Sequence, residues 1–178
     1  MVERTAAPRG TAAGPGPLSA RTRGQFDPAR PRRESAGVSP PKPEPRPTPE
    51  TQTFWDGCAN GELRLQHCGA CDRYYFPPRP FCPRCLSDQV EWRSVSGQGV
   101  LHTYLINHRA APGFEEDAPY AIAVVELAEG PRMMSNIVGI ENTPENLVLD
   151  MPLEVTFEER GSVMLPLFKP AATTGVRG

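Results

Sequence analysis

The sequence predicts a mainly β protein: a zinc ribbon with a short helix before it, then a small antiparallel barrel of five strands, behind a disordered tail. Three observations predict this. Cys68-Gly69-Ala70-Cys71 and Cys82-Pro83-Arg84-Cys85 are two Cys-x-x-Cys knuckles separated by a short linker, a pattern that supplies four thiolates to one tetrahedral zinc. Past the second knuckle, apolar runs of strand length recur between turn signals. The first fifty residues hold 11 of the 22 prolines and show no hydrophobic period, so they cannot bury enough surface to offset the entropy of ordering.

Residues 1–50 carry nine Lys/Arg against five Asp/Glu, a balance of +4, and the remainder ten against sixteen, a balance of −6. The two sum to the net −2 of the 178-residue chain. Four thiolates around a divalent ion add about −2 more to the folded part. That part is acidic, which argues against nucleic-acid binding as a backbone-neutralising activity. No run approaches the length of a membrane span, and the amino terminus has no apolar core of the signal-peptide kind. Five cysteines with four in metal spacing fit a reducing compartment better than a disulfide framework. A cytoplasmic location is expected.

In chain order, Pro40-Pro41-Lys42-Pro43-Glu44-Pro45-Arg46-Pro47 favours extended polyproline II, either to engage a partner or as a solvated tail. Order is expected from residue 51. Thr51 or Thr53 caps a short helix over residues 51–62, which Asn60-Gly61 stops. Phe54 and Trp55 diverge by about 100° on a helix. Either the helix lies in a groove between two surfaces, or one aromatic faces a partner. Cys58 reads as a buried thiol. The ribbon spans 63–93: Leu63-Arg64-Leu65-Gln66 leads as a strand into the metal ligands Cys68, Cys71, Cys82 and Cys85, and His67 is a bystander to a shell already complete. Between the knuckles, Tyr74, Tyr75, Phe76 and Phe81 supply the small core a ribbon otherwise lacks. Prolines on both sides stiffen Arg79, which suits a phosphate, a partner carboxylate or a surface ion pair.

The barrel spans 94–170. After Val90-Glu91-Trp92-Arg93 and the Gly97-x-Gly99 turn come strands at Val100 to Asn107, Tyr120 to Leu127, Arg132 to Val138, Leu153 to Glu159 and Val163 to Phe168, with a helical turn from Asn142 or Thr143. Leu153, Val155 and Phe157 alternate with Glu154, Thr156 and Glu158, as one inward and one wet face require. The run from Tyr120 is apolar on both faces, and Tyr120, Ile122 and Val124 call for a covering surface, either the ribbon or a partner protein. Residues 171–178 read as a flexible end.

A zinc held by four cysteines has no open position for water, so its role is structural. His102 and His108 share a face of one predicted strand but stand about 20 Å apart, too far to share an ion. No Ser or Cys lies in a nucleophile motif, and Glu115-Glu116-Asp117 reads as a solvated loop. No catalytic residue is assigned.

The order Phe54-Trp55, Leu63-Arg64-Leu65-Gln66, Cys68-x-x-Cys71, Phe76-Pro77-Pro78-Arg79, Cys82-Pro83-x-Cys85, Gly97-x-Gly99, Pro119-Tyr120 and Leu165-Pro166-x-Phe168 resembles the family of zinc-ribbon plus OB-fold proteins known as domain of unknown function 35. The resemblance covers about residues 50–170. It implies a rubredoxin-like ribbon, an OB-fold barrel and an accessory role. Members partner thiolase-like proteins acting on acyl-CoA, including aldolases of steroid side-chain breakdown and an archaeal complex joining thiolase to HMG-CoA synthase, or MaoC-type hydratases. The chemistry then resides in the partner, and the ribbon protein buttresses it in a hetero-oligomer. Coenzyme A presents anionic phosphates and a stacking adenine, so Arg79 and Arg84 with Tyr74, Tyr75 and Phe76 are the expected contacts. Phe54, Trp55, Tyr120, Ile122 and Val124 are the expected partner interface. The alternative is a single-stranded nucleic-acid-binding protein, since both ribbons and OB folds also serve that role.

Overall fold

The computed structural model describes residues 40–172. Its elements are α1 (Gln52–Ala59), β1 (Arg64–Cys68), β2 (Arg73–Tyr75), β3 (Val90–Ser94), β4 (Gln98–Asn107), β5 (Tyr120–Leu127), β6 (Arg132–Asn136), β7 (Pro152–Arg160) and β8 (Val163–Pro170). They form two antiparallel sheets, β2-β1-β3 in the ribbon and β6-β5-β4-β7-β8 in the barrel. The mainly β class, the single short helix and the five-stranded barrel are as the sequence predicts.

The barrel is nearly closed. Ile137, just past β6, bridges in parallel to Phe168 of β8, and the Val138 N–H donates to the Phe168 carbonyl at 2.8 Å. The Ser135 hydroxyl donates to the Pro166 carbonyl across the same seam. Closure leaves few unpaired edge groups, the usual hazard of a small sheet. The chain enters β4 through Gly97, whose φ of +70° and contact with Val155 leave no room for a side chain. Only glycine meets both demands without strain.

A β-bulge at His102 shifts the β4–β5 register, so that Leu101 faces Val125 and Thr103 faces Val124. Leu101 points inward before it, and Tyr104 and Ile106 are the half-buried positions after it. The extra residue reverses the inside–outside parity of the strand. The expectation that His102 and His108 share a face of one strand rests on unbroken alternation, which the bulge interrupts, and β4 ends at Asn107, one residue before His108.

On β5, Ala121, Ala123, Val125 and Leu127 are buried, while Tyr120, Ile122 and Val124 are half-buried on the outer side. The inner set joins Leu101, Met133, Ile137, Leu147, Leu153 and Phe168 in one core. Phe54 and Cys58 of α1 and Leu63 and Leu65 at the ribbon's first strand belong to that same core. Helix α1 packs on both β1 and β8, so it lies in a groove between ribbon and barrel that buries Phe54 and leaves Trp55 half-buried. Thr51 occupies the N-cap position but makes no capping bond. Its hydroxyl instead accepts the Thr48 N–H at 2.9 Å. The helical turn expected near Asn142 appears as a single turn closed by the Leu147 N–H on the Thr143 carbonyl at 3.0 Å.

Of the expected tail, residues 1–39 lie outside the described residues, as do 173–178 of the expected flexible end. From residue 40 the chain runs against the barrel. Lys42 pairs with Asp117 at 2.7 Å, and the Glu44 carboxylate accepts both the N–H and the hydroxyl of Ser162, the N–H at 2.7 Å.

Candidate metal centre and partner surface

Strand β1 delivers Cys68 to the end of the ribbon sheet, and the turn after it brings Cys71 back toward β2. The second knuckle closes on itself: the Leu86 N–H donates to the Cys82 carbonyl, and the Cys82 N–H to the Ser87 carbonyl, both at 2.9 Å. The residue after the second cysteine of each knuckle is left-handed, Asp72 at φ 52° and Leu86 at φ 60°. That reversal turns each pair of sulfurs toward the other.

The four sulfurs lie within 4.8 Å of one another. Cys68 Sγ stands 3.6 Å from Cys85 Sγ, and Cys71 Sγ stands 3.7 Å from Cys82 Sγ. A tetrahedron with zinc–sulfur bonds of about 2.3 Å has edges of about 3.8 Å, so the spacing fits one zinc. It exceeds the ~2.05 Å of a disulfide, and all five cysteines are free thiols. The backbone N–H groups of Cys85 and Arg84 hold the Cys82 thiol down to about 6, whereas desolvation and the neighbouring sulfurs push Cys71 up to about 12, so Cys82 forms its thiolate readily and Cys71 needs a cation to stabilise the charge. Cys58 lies outside the four-sulfur group and belongs to the core, where burial pushes its thiol up to about 12. His67 is also no ligand. Its Nε2 bonds Asp72 Oδ1 at 2.9 Å and its ring packs on Tyr74 with centroids 4.7 Å apart, clamping the first knuckle from the side.

The five residues expected at coenzyme A do not converge. Tyr75 is 8% exposed and packs with Cys68 and Cys82, its hydroxyl donating to the Arg79 carbonyl. Phe76 turns away from the ribbon onto Phe54, ring centroids 5.4 Å apart. Tyr74, Tyr75 and Phe76 line an open cleft of about 640 Å³ whose other walls include Arg73, Gly130 and Arg132. Arg79 and Arg84 are exposed and do not line it. The cations at that cleft are therefore Arg73 and Arg132. Sequence reading missed them because Arg132 reaches the ribbon only through the β5–β6 turn. Phe81, expected in the ribbon core, is 55% exposed. Its neighbour Cys82 must point at the metal, and successive side chains of an extended chain point opposite ways.

Among the expected partner contacts, Phe54 is 5% exposed and sits edge-on to Trp55, centroids 5.1 Å apart. Half-buried Trp55 lines an apolar cleft of about 240 Å³ with Phe76, Met134 and Pro166. Met134 is 73% exposed and stands opposite Val124, and exposed Leu105 stands opposite Ile122. The Trp55 cleft and the outer face of β4-β5-β6 thus meet at Met134. Tyr120 turns instead toward a separate pocket of about 270 Å³ shared with Phe114, Asn142 and Arg160, its hydroxyl accepting from Asn107 Nδ2 at 2.8 Å. Among the described residues, no helix is long and apolar enough to cross a membrane.

Comparison with known proteins bears on this arrangement. Residues 55–91 match the family described as "ChsH2, rubredoxin-like zinc ribbon domain", and residues 92–158 match "ChsH2, C-terminal OB-fold domain". A "DUF35 domain-containing scaffold protein" of Pyrococcus furiosus is 34% identical over 104 residues, 54% of this chain and 75% of that one. A "Probable enoyl-CoA hydratase alpha subunit" of Thermomonospora curvata is 34% identical over 147 residues, covering 80% of this chain. The chain spans only 45% of that subunit's length. Among solved structures, the "Ltp2-ChsH2(DUF35) aldolase" contains a chain matched with a TM-score of 0.64 and 32% identity, over 72% of this chain and all of that one. A ribbon built to hold one zinc by four cysteines, fused through a shared core to a nearly closed OB barrel, makes this chain a member of the DUF35 family.

Proposed function

We propose that the chain is a non-catalytic accessory subunit that binds a thiolase-like or MaoC-type hydratase partner in acyl-CoA metabolism of the lipid or steroid side-chain kind. The observation that carries this reading is the metal centre itself. The four sulfurs would fill every position of a tetrahedral zinc, so the ion would hold surfaces in place and offer no site for substrate. The relatives support it by their descriptions, one a scaffold protein, one a hydratase alpha subunit and one part of an aldolase.

The proposed partner surface is the apolar strip running from Trp55 through Met134 to Val124, Ile122 and Leu105. Exposed apolar patches rimmed by polar groups mark protein contacts, and burying Trp and Met side chains supplies the anchor energy such contacts use. Direct contact with coenzyme A is proposed at the cleft of Arg73, Tyr74, Phe76 and Arg132, where a guanidinium would meet phosphate and an aromatic face adenine. Arg79 and Arg84 are left outside that contact.

The test is co-expression with an acyl-CoA thiolase-like or hydratase subunit from the same genome, followed by size-exclusion chromatography with light scattering. The expected result is a stoichiometric complex with one zinc per chain, weakened by Met134→Glu, and with acyl-CoA turnover only when both subunits are present. A chain that remains monomeric beside every such subunit and binds single-stranded DNA tightly would refute the proposal.

A further inference from the structure

We propose that the tip of the second zinc knuckle, Leu86 with Phe81, is a separate anchor that inserts into an apolar pocket rimmed by carboxylates on the enzyme subunit. The inference rests on the accessory-subunit reading and adds a contact remote in sequence from the Trp55–Met134 strip. Leu86 is 77% exposed and holds φ at 60°. A bulky side chain is unfavourable in that region, where glycine is free of strain. The knuckle needs the left-handed turn to aim Cys82 and Cys85 at the metal, and glycine would provide it. Leucine adds backbone strain there and, being exposed, recovers almost no burial within the chain. Asp72, at the matching position of the first knuckle, shows the ordinary solution: a small polar residue that tolerates the turn and bonds His67.

The surroundings specify the occupant. Phe81, 55% exposed, precedes Cys82, and the Leu86 N–H donates to the Cys82 carbonyl, so the two apolar side chains flank one tight turn. Pro83 between them is exposed too. Arg84, inside the turn, and Arg79, two residues before Phe81, are exposed and, like Arg73 and Arg109, take part in no ion pair among the described residues. An exposed apolar turn that carries the unpaired Arg84 guanidinium is complementary to an apolar pocket bordered by Asp or Glu. The four-sulfur centre behind the turn keeps it rigid, which lowers the ordering cost of binding.

The test measures affinity of the zinc-loaded full chain for its enzyme subunit by isothermal titration calorimetry, with thermal melts of each variant alone. Leu86→Gly is expected to keep one zinc and to melt no lower than wild type, yet to weaken the complex by roughly tenfold or more. Leu86→Met is expected to restore most of the affinity, and Arg84→Glu to weaken it and flatten its salt dependence. Unchanged affinity for Leu86→Gly while wild type binds would overturn the anchor and leave the accessory-subunit reading standing. Failure of wild type to bind any such subunit would overturn both. Binding of the wild-type chain to anionic phosphatidylserine vesicles, lost in Leu86→Gly, would assign the tip to a membrane surface and likewise overturn it.

Discussion

Leu86 and the cysteines around it show how differently two residues of one turn weigh on stability. Replacing Leu86 by glycine is expected to raise stability by up to about 1 kcal/mol by relieving a left-handed side chain, a gain partly offset by the freer unfolded glycine. A melting curve of the zinc-loaded chain checks it. Replacing Cys82 by serine removes a ligand whose sulfur is prepared by two backbone N–H groups. Structural zinc sites contribute about 10 kcal/mol or more in small domains, so Cys82→Ser is expected to lose the metal and the ribbon's amide protection, read by metal analysis and hydrogen exchange. Phe54→Ala is a core change of ordinary kind. At 5% exposure it is expected to cost about 3 kcal/mol, with metal content unchanged.

At the scale of elements, the segment from Pro40 behaves as a strap. Its polyproline backbone has few internal bonds to make, so what holds it to the barrel is Lys42 on Asp117 and Glu44 on Ser162. Those Ser162 bonds lower the Glu44 carboxyl below its ordinary value. A carboxyl lowered in the folded state contributes attachment above its unfolded pKa of about 4.3 and loses it as pH falls through the lowered folded value. The Ser162 amide resonance is therefore expected to titrate with a midpoint below that of an unperturbed glutamate. Glu44→Ala is expected to abolish that titration and speed exchange at Ser162, leaving the β4–β5 ladder unchanged. The helix α1 acts oppositely: it is short and uncapped by Thr51, and its existence depends on burying Phe54 and Cys58 between ribbon and barrel.

For the whole molecule, the shared core couples the metal to the barrel. Leu63 and Leu65 are fully buried with Leu101 and Phe168 in one cluster. Chelation of zinc is expected to loosen β1 and, with it, the helix and the β8 face on which the helix packs. Scanning calorimetry should show one transition in the zinc-loaded chain and a lower midpoint after chelation. Two transitions, with the barrel's unmoved, would show that the units fold independently.

The sequence by itself determined the ligand set, the five strands of the barrel, the ends of β5 and the helix's position, but not the ribbon strand β2. These features follow from local rules: thiolate spacing for a tetrahedral ion, period-two alternation, and turn residues that interrupt both. Tertiary structure alone decided the rest. The bulge at His102 is invisible to periodicity because one inserted residue inverts every later side chain without changing composition. Arg73 and Arg132 meet at a cleft only because the β5–β6 turn folds against the ribbon. Phe76 and Phe81, both aromatic and both between the knuckles, were indistinguishable in sequence, yet one seals the helix to the barrel and the other stands in solvent. What separates them is the demand that four sulfurs converge on one ion, which fixes the direction of every side chain beside a ligand.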